Sequence, residues 1–192
     1  MNTTELKTTS SSKFLSRALA QKVQQSRVRR RGINSKRGVL LTMVDPETPR
    51  ASGPLIRSPL EIKELRKKLG LSCDNFSKAL NIHPDTVRKY EATSPKTNRF
   101  PSMASFRLME FLERKPELIQ DLGEPPYFSS SAIKQIRKEL GVSQSVFANL
   151  LGQNASAIAA WEQAQRHPCG PAVRLLMIAL LYPDEIIPEF YG

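Results

Sequence analysis

From Pro59 onward, apolar residues recur at intervals of three and four, the spacing of helices with one buried face. Leu60, Ile62, Leu65 and Leu69 stripe a first predicted helix that stops at Gly70, whose missing Cβ suits a left-handed cap. Ser72 is placed to cap a second helix with Phe76, Ala79 and Leu80 on its apolar face, and the chain turns at Asn81 to His83. Pro84 then opens a third helix, because the N–H that proline lacks is unpaired in a first turn anyway. This helix runs through Glu91 with Val87 and Tyr90 pointing inward. A fourth starts near Ser102 and carries Phe106, Leu108, Met109, Phe111 and Leu112, and a short fifth starts near Pro116.

The pattern then recurs. Residues 62–91, IKELRKKLGLSCDNFSKALNIHPDTVRKYE, are answered 71 residues later by 133–162, IKQIRKELGVSQSVFANLLGQNASAIAAWE, with ten of thirty positions identical. Ordinary residue usage would give roughly two. After a loop four residues shorter in the second copy, Pro101, Arg107, Leu108 and Pro116 correspond to Pro168, Arg174, Leu175 and Pro183. In the second copy Ser130 or Ser131, Ser143 and Asn154 are the expected caps, Pro171 opens the fourth helix, and Ile158 and Trp161 replace Val87 and Tyr90. The expectation is an all-α chain: a basic arm over 1–58, one five-helix unit over 59–122, a linker over 123–129 stiffened by Pro125 and Pro126, and a second unit over 130–192.

Charge changes this picture in one respect. Of the net +11, residues 1–58 hold twelve Lys or Arg against three Asp or Glu, whereas residues 126–192 hold five of each. Attraction to polyanions is therefore concentrated in the arm. That arm reads as largely disordered, with Pro46, Pro49 and Pro54 breaking helices. One amphipathic stretch is predicted, with Phe14, Leu15, Ala18, Leu19 and Val23 among basic residues. Met43 is an alternative start of translation. No run of eighteen apolar residues or apolar leader core occurs, so neither a membrane span nor secretion is expected, and two Cys imply a reducing compartment. No phosphate-cradling glycine loop, nucleophile elbow or paired carboxylate pattern points to catalysis. Cys73, His83, His167 and Cys169 lie in separate repeats without zinc-finger spacing, so neither a metal nor another cofactor is expected.

Two short helices joined by a tight turn, the second with inward residues three apart, make the helix-turn-helix plan, whose second helix fits the major groove of DNA. Both copies resemble the Cro and lambda-repressor type, often called XRE-like, in the run Leu-Gly-Leu/Val-Ser, the aromatic core residue that follows, and Val/Ile-x-x-Tyr/Trp-Glu. The resemblance covers about two thirds of the chain. WEQAQRHPCGPAVRLL and FRLMEFLERKPELI are further similar to the DNA-binding domains of HigA- and MqsA-type antitoxins. The paired cysteines of the MqsA-type zinc domain are missing here, which speaks against toxin binding through such a domain.

The resemblance implies double-stranded DNA as partner and a cytoplasmic, prokaryotic or phage-encoded regulator, most simply a repressor. It also allows a toxin protein as partner and a homodimer through the second copy and its apolar tail, Leu180, Leu181, Ile186, Ile187, Phe190 and Tyr191. Carried onto this sequence, the groove-facing positions of the first copy are Pro84, Asp85, Thr86, Arg88 and Lys89, with Lys96 and Arg99 in the next loop as backbone contacts. Those of the second are Ala155, Ser156, Ala157, Ala159 and Ala160, of which only Ser156 offers a hydrogen bond. Family members often place Gln at the start of the second helix; Gln144 stands there in the second copy and Cys73 in the first. Gln144, Gln163, Gln165 and Arg166 are thus expected to grip backbone. Arg66, Lys67, Arg137 and Lys138 are expected to be exposed helix charges. Arg107 and Arg174 are expected in helix packing, with Glu91 and Glu162 as ionic partners.

Overall fold

The computed structural model describes residues 55–186, and every regular element among them is a helix. Residues 1–54 of the basic arm, with the predicted amphipathic stretch, and the tail residues Ile187, Phe190 and Tyr191 lie outside the described residues. The first copy gives α1 (Pro59–Lys68), α2 (Cys73–Leu80), α3 (Pro84–Tyr90), α4 (Met103–Arg114) and α5 (Leu118–Asp121). The second gives α6 (Ser130–Leu140), α7 (Gln144–Leu150), α8 (Ala155–Glu162), α9 (Pro171–Leu181) and α10 (Pro183–Ile186). The fold is all-α.

Local chemistry sets the boundaries. Ser72, Ser102, Ser143 and Asn154 each accept a backbone N–H from the first turn of the helix they precede, which supplies an acceptor to a donor that has no partner within the helix. Ser58 and Glu61 form a reciprocal capping box at α1. Gly70 and Gly141 follow or cap their helices at φ +67° and +71°. Two expectations are corrected. The cap of α6 is Ser129, not Ser130 or Ser131: its side chain accepts from the N–H of Ala132. Phe128 before it and Ile133 after it are both buried, the pattern of a hydrophobic staple that fixes where the chain enters the helix. Leu60 is 57% exposed because it precedes Ile62 by two residues, about 200° around the helix, and so faces away from the buried Ile62 and Leu65.

The two copies share one continuous core. On α4 the six consecutive residues 104–109 are buried, and on α9 the eight residues 172–179. A helix with one apolar stripe cannot bury every position, so each must be covered on more than one side. The two helices pack on each other, while α4 also meets α2 of its own copy and α9 meets α6.

The contact is reciprocal. Gly152, in the turn after α7, sits against the start of α4 so closely that a Cβ there would lie 2.5 Å from the Ala104 nitrogen and 2.6 Å from the Met103 carbonyl carbon. Its counterpart in the first copy, Asn81, has φ +53° and donates its side-chain amide to the Gly170 carbonyl at the start of α9, at 3.0 Å. Each copy thus sets the turn between its second and third helices against the start of the other's long fourth helix.

The buried arginines sit in packed helices as expected, but with partners other than Glu91 and Glu162. Arg174 of α9 bonds no glutamate: its guanidinium donates to the carbonyls of Lys78 (2.8 Å) and Leu122 (3.2 Å), and to that of Gly123, all in or just after the first copy. Burial lowers its pKa below the ordinary guanidinium value, with the charge of Glu124 opposing the shift. Arg107 faces Glu110 one turn on, at 3.8 Å. Tyr182 adds a further tie between copies by donating to Asp121 at 2.7 Å, and burial, reinforced by that carboxylate, pushes its pKa up to about 12.

Two of the positive-φ glycines, Gly70 and Gly152, separate backbone strain from interface packing. A Cβ on Gly70 meets nothing within 4 Å. Gly70→Ala is therefore expected to cost about 1–2 kcal/mol, the left-handed penalty alone. Gly152→Ala should cost about 1–3 kcal/mol more, because α4 must move to make room. Urea unfolding of both variants measures the difference, and equal losses would contradict the packing described.

Candidate nucleic-acid interface

One guanidinium ties the first three helices together in each copy. Arg66 on α1 donates to both carboxylate oxygens of Glu91, the residue capping α3, at 2.6 and 2.8 Å, and to the Leu71 carbonyl ahead of α2 at 3.0 Å. Arg137 repeats this with Glu162 at 2.6 and 3.0 Å and with the Val142 carbonyl at 3.1 Å. These arginines are therefore not exposed helix charges: their side chains are only 12% and 15% exposed. Nor do Glu91 and Glu162 pair with Arg107 and Arg174. The bidentate hydrogen bond it donates to Glu91 is the main cause raising Arg66 above its ordinary pKa. The bond from Arg137, helped by Gln144, holds Glu162 below the ordinary glutamate range. The sequence carried a signal for this strut: Arg and Glu, 25 residues apart, are among the ten identities between copies.

Behind that strut, α3 presents a charged face. Val87 and Tyr90 are buried, the Tyr90 hydroxyl lying 3.3 Å from that of Ser105, which fixes the rotation of the helix. Asp85, Arg88 and Lys89 are exposed and Thr86 is half-buried. Arg88 forms an ion pair with Asp85 one turn earlier, both 60% exposed. The His83 ring caps the helix by accepting the Asp85 N–H through Nδ1 at 3.2 Å. The following loop folds back on the end of α3. Asn98 donates to the Ala92 carbonyl at 2.8 Å, and the Arg99 N–H donates to the Lys89 carbonyl at 3.0 Å. Arg99 is thereby held beside Lys89, with Lys96 exposed in the same loop. Arg88, Lys89, Lys96 and Arg99 are thus all exposed on α3 and the loop bonded to its end, with Asp85 paired to Arg88.

The second copy has the same frame with different chemistry on it. Ile158 and Trp161 are buried; Ala155 and Ser156 are exposed, and Ala157, Ala159 and Ala160 half-buried. The Ser156 hydroxyl donates to the cap residue Asn154 at 2.9 Å. Gln144 donates to Glu162 at 2.9 Å, joining the strut of its copy, which Cys73 does not do in the first. Gln163, Gln165 and Arg166 are exposed in a loop wrapped on the end of α8, where the Gln165 N–H reaches the Ala160 carbonyl at 2.9 Å and Ala164 takes φ +59°. Gln163 and Gln165 are hydrogen-bonded to each other at 2.9 Å. The inter-copy contacts of Asn81 and Arg174 were missed by sequence reasoning.

Comparison with known proteins follows this geometry. The helix-turn-helix family matches residues 133–180. The chain is similar to Antitoxin HigA-2 of Vibrio cholerae serotype O1 (strain ATCC 39315 / El Tor Inaba N16961), 33% identical over 75 residues, which are 39% of this chain and 71% of that protein. It is also similar to the Uncharacterized HTH-type transcriptional regulator YiaG of Escherichia coli (strain K12), 34% identical over 64 residues, 33% of this chain and 62% of that one. The alignment thus spans less than two thirds of YiaG. No solved structure matches.

The strut has a pH signature. Because the Glu162 pKa is lowered on folding, the stability it contributes is fully present above the ordinary glutamate range and is lost as pH falls through the lowered value. Glu162→Ala, which leaves Arg137 facing no carboxylate, should cost about 3 kcal/mol at pH 7 and flatten the loss of stability below about pH 4. Urea midpoints across that range test this, and unchanged acid sensitivity would contradict it.

Proposed function

The chain belongs to the helix-turn-helix family of Cro and lambda-repressor (XRE-like) type, and on that premise we propose that it is a sequence-specific DNA-binding transcriptional regulator. In this reading it acts by occupying a promoter, as a repressor, and not as an enzyme. The observation that carries it is the exposed face of α3. Arg88 and Lys89 stand on a helix whose rotation is fixed by Val87 and Tyr90, beside Arg99 in a loop bonded to its end. Arg and Lys donate to guanine edges in the major groove, and Asp85 and Thr86 add acceptor and donor capacity beside them. Lys96 and Arg99 then meet phosphates.

The reading takes 59–122 and 130–192 as tandem helix-turn-helix units joined by 123–129, with 1–58 as a basic arm. The units act as a pseudo-dimer within one chain, so the operator is asymmetric, with half-sites about one helical turn apart. The second unit has no charged side chain at its groove-facing positions, and it holds backbone through Ser156, Gln163 and Arg166. Gln144, engaged with Glu162, would there act by steadying α8. Homodimerisation is not required by this arrangement, because each copy already covers the other's fourth helix.

Likeness to a protein named an antitoxin favours a second reading, in which the chain also binds a toxin protein and represses its own operon. Co-purification with the product of a small neighbouring reading frame would support it.

Arg88→Ala with Lys89→Ala is expected to weaken specific binding in a mobility-shift titration, each lost base contact costing about 1–3 kcal/mol. Unchanged affinity and sequence preference would refute the reading of α3. Removing residues 1–42 should weaken binding to all DNA alike and reduce the salt dependence. A full salt slope without them would exclude the arm.

A further inference from the structure

Besides the packing of α4 on α9, the contacts between copies include the turns that lead into α3 and α8. Asn81 is the turn residue between α2 and α3, and its amide is bonded to the start of α9. Lys78, whose carbonyl accepts from Arg174, lies in the last turn of α2. The same guanidinium donates to the carbonyls of Leu122 and Gly123, where the first copy ends. On the other side Gly152, the turn residue between α7 and α8, has no room for a side chain against the backbone of Met103 and Ala104. A rotation of one copy against the other would therefore pull a buried guanidinium off its carbonyl acceptors and drive backbone into backbone. Close-packed interfaces of this kind resist continuous deformation. A buried cation that loses its acceptors is costly.

We infer that Arg174 and Asn81 are positioning residues for DNA recognition: without touching DNA, they fix the relative orientation of α3 and α8 and so select the spacing between operator half-sites. This rests on the tandem-unit reading above and extends it to residues none of whose roles follow from the groove-facing pattern. A duplex turns about 34° per base pair, so each base pair added between half-sites rotates one recognition surface away from the other. A rigid pair of units must reject such duplexes; a loosened pair can follow them.

The test uses the full chain and a duplex recovered from random-sequence selection with it, then the same duplex with one or two base pairs inserted or deleted between half-sites, and a duplex holding the first-copy half-site alone. Asn81→Gly removes the amide while keeping a residue that accepts positive φ; Arg174→Lys keeps the charge but not the forked geometry. The wild-type chain should lose about tenfold or more in affinity on two-base-pair changes of spacing. The double variant should lose less than about threefold, with affinity for the single half-site unchanged within about twofold. Asn81→Gly alone, which introduces no buried uncompensated group, should show an intermediate loss of discrimination. Spacing discrimination equal to wild type in both variants would overturn the inference while leaving DNA binding intact. A fall in half-site affinity that matches the fall on the whole operator would also overturn it, since it marks a merely structural role. Failure of the wild-type chain to select any duplex would overturn the DNA-binding reading and this inference with it.

Discussion

The burial of α4 and α9 against each other is the constraint on which the rest of this structure depends. A unit of about sixty residues buries only about 60% of the surface its unfolded chain exposes and is marginal alone. Here two such units each offer a helix apolar on more than one side, and the uninterrupted burial of 104–109 and 172–179 follows from their contact. Taking the Arg174 guanidinium out of water opposes this packing by several kcal/mol. Carbonyl acceptors in the other copy offset that penalty, and they give the interface a geometry that apolar contact alone would not specify.

On this shared core stand two frames of the same design. The Arg66–Glu91 and Arg137–Glu162 struts each hold the end of the third helix, the first helix and the connection before the second in one network. The frames are alike because the same two charged residues are kept in both copies. The surfaces carried on them are not alike. Asp85, Arg88 and Lys89 stand where the second copy has Ser156, Ala159 and Ala160. A readable face and a nearly unreadable one, in fixed relation, suit a site with one half specified by bases and the other by backbone shape.

Periodicity and capping chemistry made most of the fold legible. The expected caps Ser72, Ser143 and Asn154 are the observed ones, and Val87, Tyr90, Ile158 and Trp161 are buried as their spacing requires. Leu60 misled because apolar character was counted without its angle on the helix. Ser129 was missed because three serines in a row are equivalent until the burial of Phe128 fixes the entry. The arginines were harder. Nothing local distinguishes a guanidinium reaching 25 residues along the chain from one in solvent; only the repetition of Arg and Glu in both copies pointed there. For Arg174 the acceptors are main-chain carbonyls about 50 to 100 residues away, and a carbonyl has no sequence signature. The exposed residues of α3 were legible as chemistry, and their assembly with Arg99 came from the folded-back loop.

The most direct measurement is chemical interference mapping on the duplex selected by the full chain, with base methylation and phosphate ethylation read separately along both strands. The account predicts that methylated guanines block binding in one half-site only, whereas ethylated phosphates block it in both. Base interference in both half-sites would contradict the division of labour between the copies, and phosphate interference confined to one would contradict any contact by the second.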